Sequence, residues 1–238
     1  MTSVAQHYAD HLAPIYLWMA GGLERALTLG ASDVADFFGS VQYAVDLGAG
    51  FGMHTIPLAR AGVRVLAVDS SAQLLSTLAS TSSGLAVDIV HADLSEFSSY
   101  LSASPDLILC MGDTLTHLAS LDVVNGLIRS VAAALRPGGT FLATFRDYRR
   151  LPSGESRFIP VRSDDSRIHT CFLEELPEHV LVHDLIHERT GEQWQMRVSS
   201  YLKLRLDPDE LVASATAAGL RCKLESGPRG MVKLRADA

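Results

Sequence analysis

The sequence predicts an α/β fold: a doubly wound, mostly parallel sheet with an inserted antiparallel sheet and an N-terminal helical lid. From residue 41 onwards, apolar runs such as Val63–Val68 and Leu107–Met111 alternate with segments of helical periodicity. These runs are continuously apolar, which is typical of parallel strands buried on both faces. Residues 156–205 break the alternation with closely spaced strand-like runs and turn residues, which indicates an insertion.

The parallel part begins after a helical N-terminal region. Strands are expected near 42–47, 63–68, 85–90, 106–111 and 139–145, with helices near 53–61, 71–80 and 121–135. Before them, residues 1–40 show helical spacing of Tyr8, Leu12 and Ile15. A further helix starts at Leu23 and is expected to stop at Gly30.

The second half of the chain predicts the insertion and a return to the core. Strands are expected near 157–162, 167–174, 179–188 and 193–204, then a helix opening at Asp207-Pro208, and two last strands near 220–226 and 230–235. The predicted division is a lid of residues 1–40, a ligand-binding core of residues 41–150 and 206–238, and an insertion of residues 151–205 that covers the substrate site.

Composition narrows the class of protein. The 238 residues have a net charge of -7, and no Lys/Arg-rich run is present, so we expect no nucleic acid partner. No apolar run reaches the roughly 18 residues that span a bilayer, and the N-terminus lacks the features of a signal peptide, so no membrane association is expected. The three cysteines are odd in number and form no CxxC pair, which favours the reducing cytoplasm.

A glycine turn after the first strand is the most informative motif. In Val45-Asp46-Leu47-Gly48-Ala49-Gly50-Phe51-Gly52, the missing Cβ atoms allow a ligand to approach the backbone closely. The second strand ends in Asp69, where a carboxylate can hold the two hydroxyls of a ribose. The predicted ligand contacts are Asp46, Gly48, Ala49, Gly50 and Asp69.

The spacing of this turn helps to identify the ligand. Dinucleotide sites use G-x-G-x-x-G, whereas this chain has G-x-G-x-G. The Asp46 carboxylate would repel a pyrophosphate, and it suits a ligand that carries an ammonium and a sulfonium group. A structural glycine turn in another kind of α/β protein is the alternative.

The segment from Asp46 to Gly52 resembles the first motif of class I S-adenosylmethionine-dependent methyltransferases. The resemblance implies a Rossmann-like fold, S-adenosylmethionine as cofactor and S-adenosylhomocysteine as product. After the third strand, Asp93 with Leu94 resembles the family's adenine-binding pair. The further cofactor contacts that we expect are Tyr16, Ser70, Asp93, Leu94 and Met111.

Two later segments resemble glycine and sarcosine N-methyltransferases. The segment Cys110-Met111-Gly112-Asp113-Thr114-Leu115-Thr116-His117-Leu118 is similar to their CxGNSxxHL, and Thr144-Phe145-Arg146-Asp147-Tyr148 is similar to their RNYD. In that family the Arg pairs with the substrate carboxylate, so the resemblance implies that Arg146 anchors the acceptor, a role that suits a guanidinium fork. This chain departs from the pattern at Asp113 and Asp147, which both replace Asn.

Each candidate in these segments has an alternative. Asp113 adds a carboxylate that would favour a cationic or protonatable acceptor such as an amine and could receive its proton, or it caps the following turn. Arg146 anchors the acceptor, or it forms a structural salt bridge with Asp147 or another neighbour. His117 orients the acceptor or takes its proton, or it is a buried structural histidine.

Aromatic and histidine residues elsewhere also allow a functional and a structural interpretation. Tyr8, Tyr16 and Trp18 are candidates for a lid over the methyl donor, with plain core packing as the alternative. No metal site is expected, because His179, His183 and His187 would lie about 13 Å apart in succession along one strand face.

Methyl transfer from a sulfonium requires in-line alignment and exclusion of water rather than a catalytic triad. The sequence therefore predicts methyl transfer to a small-molecule acceptor, an amine or another small polar group held by Arg146, in a monomer or a homodimer. The alternatives are O- or S-methylation of a natural product, and a regulatory protein that binds S-adenosylmethionine without catalysis.

Overall fold

A computed structural model describes residues 3–238 of the chain, so the first two residues of the predicted lid lie outside the described residues. The larger of its two sheets contains five parallel strands: Tyr43–Leu47 (β1), Arg64–Asp69 (β2), Val87–His91 (β3), Leu107–Cys110 (β4) and Thr140–Phe145 (β5). Their order in the sheet is β3-β2-β1-β4-β5. The chain order reverses between β1 and β4, which is where a doubly wound sheet opens a ligand cleft.

Helices cover both faces of this sheet, which explains why its central strands are continuously apolar. The helices are Leu23–Asp33 (α3), Thr55–Arg60 (α4), Ala72–Thr81 (α5), Leu121–Ala134 (α6) and Pro208–Ala217 (α7). Alternate residues of the strands point to opposite faces, so Val45 packs in the cluster with α6 and α7, whereas Ala44 packs in the cluster with α4.

The C-terminal strands extend the sheet beyond β5. Arg221–Ser226 (β10) and Val232–Asp237 (β11) form a hairpin, and β11 pairs antiparallel with β5. The helix α7 begins where predicted, because Asp207 accepts a hydrogen bond from the backbone N–H of Asp209 at 2.8 Å.

A separate antiparallel sheet is inserted between β5 and α7. Its strands are Phe158–Ser163 (β6), Arg167–Glu175 (β7), His179–Thr190 (β8) and Gln193–Leu204 (β9), in that spatial order. The predicted fold class, a doubly wound and mostly parallel sheet with an inserted antiparallel sheet and N-terminal helices, is confirmed.

The N-terminal segment, residues 4–20, lies against the inner face of the antiparallel sheet. It contains the short helices Val4–His7 (α1) and Tyr16–Met19 (α2), joined by a π-helical turn and a 3₁₀ turn. His7 is buried and donates to Asp184 on β8 at 2.9 Å, and Asp184 also accepts from His169 on β7 at 2.7 Å. Burial opposes ionisation of Asp184, but these histidine contacts hold its pKa well below the usual value.

The expected stop at Gly30 is wrong, because α3 continues to Asp33. A Cβ at Gly30 would lie 1.9 Å from the backbone oxygen of Met53. This glycine therefore permits close packing of the helix rather than ending it. Across residues 3–238, none of the helices combines the length and the apolar character needed to cross a bilayer.

Candidate active site

A cavity of about 600 Å³ lies at the carboxyl ends of β1, β2 and β4, beneath the N-terminal segment. Most of the residues predicted for the site line it: Tyr16, Gly48, Ala49, Gly50, Asp69, Ser70, Asp93, Leu94, Met111 and His117. Asp46, Asp113 and Arg146 are not part of the lining. The structure thus brings nine of the ten cofactor candidates together with His117, and it places the tenth, Asp46, and the acceptor candidates Asp113 and Arg146 outside the lining.

The glycine turn is fixed by its hydrogen bonds and its backbone conformation. The N–H groups of Gly48 and Ala49 donate to the carbonyl of Val68 at 2.8 and 3.1 Å, which joins the turn to the end of β2. Gly48 has a φ of +77°, and a Cβ there would lie 2.6 Å from the Thr114 side chain. The missing Cβ at Gly48 therefore also serves close packing against the loop after β4.

Asp69 faces the cavity from the end of β2. Its two carboxylate oxygens accept from the backbone N–H groups of Gly50 and Ser71, at 2.8 and 2.7 Å. Burial raises the pKa of this carboxyl, and the two amide donors oppose that effect. Each oxygen keeps acceptor capacity for a further donor such as a ribose hydroxyl.

Asp46 lies behind the turn. Its side chain is fully buried and accepts from the Thr55 hydroxyl at 2.7 Å, at the start of α4. Burial raises its pKa above the ordinary value. This contact links the end of β1 to the helix that follows the turn, and direct contact between Asp46 and a ligand stays a prediction.

Asp93 and Leu94 also line the cavity. Asp93 caps the short 3₁₀ helix after β3, where its carboxylate accepts from the Ser95 N–H at 2.8 Å. His91 also lines the cavity, and its ring bonds to the Ser70 carbonyl at 3.0 Å.

Two tyrosines of the N-terminal segment roof the cavity. The rings of Tyr8 and Tyr16 lie 5.9 Å apart, and Tyr16 also lies 5.9 Å from Phe51 in the glycine turn. Burial raises the pKa of both phenols, so they stay neutral. The third lid candidate, Trp18, does not line the cavity.

Trp18 instead joins the N-terminal segment to the β6–β7 hairpin. Its indole N–H donates to Asp164, and the guanidinium groups of Arg162 and Arg167 lie 5.5 and 5.2 Å from its ring centre. The lid interpretation of Trp18 is therefore wrong, because its ring is used in these contacts with the antiparallel sheet.

His117 lines the cavity and lies between aromatic rings. Tyr8 and Tyr201 are centred 5.4 and 5.5 Å from its imidazole. Burial, together with the positive charge of Lys203, lowers the pKa of His117 to about 3. The ring is therefore neutral at physiological pH and is a weak base.

Asp113 is buried and forms an ion pair. Its carboxylate accepts from three donors: the Lys203 ammonium at 2.6 Å, the Arg146 backbone N–H at 2.8 Å and the Tyr148 hydroxyl at 3.3 Å. Burial opposes ionisation, but the Lys203 charge and these donors hold the Asp113 pKa below its usual value. The alternative of a side-chain cap is wrong, since this carboxylate makes no capping hydrogen bond to the turn that follows.

Arg146 directs an exposed side chain outward from the end of β5. Within residues 3–238 its guanidinium has no hydrogen bond or ion pair. The alternative of a salt bridge with Asp147 is wrong, because Asp147 pairs with Arg149 at 2.7 Å. Arg146 therefore remains available for an external anion, and that role stays a prediction.

Sequence reasoning missed Lys203 as the partner of Asp113. The two residues are separated by 90 positions, and only the fold brings them together. A signal was present, since Lys203 shares a strand face with the buried Tyr201, where a lysine needs a partner. Within residues 3–238, no group of three or more His, Cys, Asp or Glu side chains is arranged to hold a metal ion.

Comparisons with known proteins agree with this geometry. Residues 44–139 match the family model of a methyltransferase domain. A glycine/sarcosine/dimethylglycine N-methyltransferase of Actinopolyspora halophila is 28% identical over 113 residues, which are 45% of this chain and 20% of that protein. A ubiquinone biosynthesis O-methyltransferase of Xanthomonas axonopodis pv. citri (strain 306) is 32% identical over 103 residues, 42% of this chain and 41% of that protein.

The chain thus spans less than half the length of these curated relatives. Among solved structures, the CcbJ methyltransferase from Streptomyces caelestis is similar over 97% of both chains, with a TM-score of 0.79 and 23% identity. That likeness shows the fold. Together, these findings confirm the resemblance to class I S-adenosylmethionine-dependent methyltransferases and support S-adenosylmethionine as the cofactor.

Proposed function

We propose that this chain, which has the fold and the domain of a class I S-adenosylmethionine-dependent methyltransferase, methylates an amine nitrogen of a small molecule. The observation that carries the proposal is one cavity that continues from the glycine turn to Tyr8 and His117. Donor and acceptor must meet in one space from which water is excluded. A relative that is an N-methyltransferase supports nitrogen as the methylated atom.

The cofactor end of the cavity fits this group. S-adenosylmethionine supplies an electrophilic methyl group on its sulfonium sulfur. Asp69 would accept from the ribose hydroxyls, and Asp93 with Leu94 would flank the adenine, as the family resemblance implies. Asp46 would support the glycine turn through Thr55.

The acceptor end has an uncharged lining. It is formed by Tyr8, Tyr16 and His117, which are neutral, and by small apolar residues: Val4, Ala5 and Ala9. Such surroundings disfavour an ammonium group and favour the neutral amine, which is the form that can attack a methyl group. His117, with its low pKa, would orient the acceptor and would not serve as its base.

Arg146 would act at the outer end of the acceptor. Its backbone N–H donates to Asp113, and the neighbouring Gly112 is exposed and lines the cavity. An acceptor that extends past Gly112 would meet the unpaired guanidinium, which matches a carboxylate bidentately.

A second candidate is O-methylation. It is favoured by the O-methyltransferase relative. The two candidates differ in the atom methylated, so a matched pair of acceptors separates them.

The test measures release of S-adenosylhomocysteine from a panel of amines, amino acids, phenols and thiols. Cyclohexylamine and cyclohexanol form a matched pair that differs only in the reacting group. We expect turnover with amines, and a kcat/KM that rises with pH and levels off at the acceptor's own pKa. Turnover with hydroxyl or thiol acceptors alone would reject the amine. Binding of S-adenosylmethionine without release on any acceptor would favour the regulatory alternative.

A further inference from the structure

We propose that Lys203 is a positioning residue for methyl transfer: through Asp113 it holds the loop after β4 that forms the acceptor side of the cavity. This inference rests on the proposed function, because the cavity must be the place of reaction. Lys203 lies on β9 in the antiparallel sheet, whereas Asp113 follows β4 of the parallel sheet. The pair therefore joins the two sheets beside the cavity.

The ion pair is short and buried. Lys203 is 9% exposed and Asp113 is 4% exposed, and their charged atoms lie 2.6 Å apart. The Lys203 ammonium also lies 5.8 Å from the ring centre of Tyr201. A buried charge is strongly destabilising without its partner, so Lys203 is what allows Asp113 to stay ionised inside the protein.

Asp113 in turn fixes an unusual backbone. Its φ of +77° is in the left-handed region, which non-glycine residues rarely adopt, and Gly112 before it has a φ of +75°. The backbone N–H of Asp113 donates to the Thr144 carbonyl at 2.9 Å, and the Gly112 N–H donates to the Thr144 hydroxyl at 2.8 Å. The carboxylate adds the bond from the Arg146 N–H, so the loops after β4 and β5 are tied together at Asp113.

The residues on either side of Asp113 line the cavity. They are Met111, Gly112, Thr114 and His117. The carbonyl of Asp113 accepts from both the N–H and the hydroxyl of Thr116, which places the turn that carries His117. A displacement of Asp113 would therefore move the acceptor wall, and misplacement by about 1 Å can slow a reaction roughly 100-fold.

The role of Lys203 is to neutralise Asp113 rather than to touch the acceptor. Removing Lys203 alone should draw the unpaired carboxylate toward water and shift the loop. Removing both charges should leave an amide whose oxygen still accepts from the Arg146 N–H and whose NH2 group can donate to the Tyr148 hydroxyl oxygen. The two substitutions are therefore expected to compensate each other.

The test compares Lys203→Met, Asp113→Asn and the double variant, each saturated with S-adenosylmethionine. We expect Lys203→Met to lower kcat by about 10- to 100-fold, with cofactor Kd within about twofold, and the double variant to recover most of this loss. Lys233→Met is the matched control, because Lys233 forms an ion pair with Glu225 at 2.6 Å on the far strands of the sheet. It should leave kcat unchanged.

Hydrogen exchange followed by mass spectrometry gives a readout independent of turnover. Lys203→Met should speed exchange selectively in residues 111–117, and the double variant should restore protection. The exchange measurement does not depend on turnover, so it tests the positioning role even if the wild-type chain methylates no acceptor in the panel. Absence of turnover on every acceptor would reject the proposed function and not the positioning role.

Three results would overturn the positioning role. They are a folded Lys203→Met variant with wild-type kcat and exchange, a general loss of protection across the chain, and a double variant as impaired as Lys203→Met. If Lys203→Met fails to fold, the double variant decides the question. A double variant whose kcat and hydrogen exchange are close to wild type supports the role. A folded double variant with a tenfold lower kcat, or with unprotected residues 111–117, rejects it.

Discussion

Replacing Asp69 by Asn tests the cofactor site most directly. The carboxylate accepts one backbone N–H on each oxygen and faces the cavity, so each oxygen can take one ribose hydroxyl as well. Asn keeps the shape but removes the charge and turns one acceptor into a donor. Losing charge-assisted hydrogen bonds should weaken S-adenosylmethionine binding by about 1.5–3 kcal/mol, which is roughly a 10- to 150-fold rise in Kd. Isothermal titration calorimetry measures it.

The chain offers a control in Asp106, whose carboxylate also accepts from two backbone N–H groups. Both of them, from Gln42 and Tyr43 at 2.8 Å, bond to one oxygen, while the other oxygen pairs with Arg136, and the group lies at the opposite edge of the sheet from the cavity. Asp106→Asn should lower thermal stability by weakening the Arg136 pair and should leave cofactor affinity unchanged. A folded Asp69→Asn variant that binds within twofold of wild type, or an equal loss in Asp106→Asn, would refute the ribose assignment.

Three further predictions concern the acceptor, the N-terminal segment and the assembly. Arg146→Lys should lower kcat/KM about tenfold or more for acceptors with a carboxylate and little for neutral ones, because an ammonium cannot form the fork; equal losses on both would make Arg146 structural. His7→Ala should expose residues 4–20 to proteolysis, since it removes a donor from buried Asp184. The depressed Asp184 pKa means that the carboxylate's part in this attachment is present at neutral pH and is lost only in strong acid. Trp194 and Met196 are exposed on the outer face of the antiparallel sheet, so we expect the protein to form a homodimer through this face. Light scattering should show a dimer for the wild type and a monomer for Met196→Glu; a monomeric wild type would reject this interface.

Local patterns were sufficient to predict the strands of the core. Buried parallel strands such as β4 are apolar at every residue, so their runs stand out from the amphipathic helices between them. The helix α7 was predictable for a similar reason, since its cap is made within three residues of Asp207. By contrast, the helix end predicted at Gly30 was wrong because this glycine packs against the backbone of Met53, a contact that the local sequence does not reveal.

The candidate site was predictable only in part, because some of its contacts join residues that are far apart in the sequence. The glycine turn and Asp69 are close in sequence, and their spacing reflects one strand–turn–helix–strand unit. The surroundings of Asp113 are contributed by β5, β9 and the loop after β5, so its charge partner could not be read from its own motif. The buried pair of His7 with Asp184 spans 177 positions and is equally hidden.

The Asp113–Lys203 pair changes what the sequence implied about acceptor charge. An isolated carboxylate would favour a cationic acceptor, but a neutralised pair adds no net charge, and the acceptor end of the cavity is uncharged. The depressed Asp113 pKa keeps this group ionised across pH 6–9. The pH dependence of turnover should therefore follow the acceptor's own pKa, and profiles of the wild type and of Lys203→Met/Asp113→Asn should have the same shape and similar heights. Kinetics across pH 6–9 with two amines whose pKa values differ by about two units test this expectation. On changing the amine, the profiles of the wild type and of the double variant should shift by the same amount. A profile that shifts only in the double variant would mean that Asp113 contacts the acceptor itself.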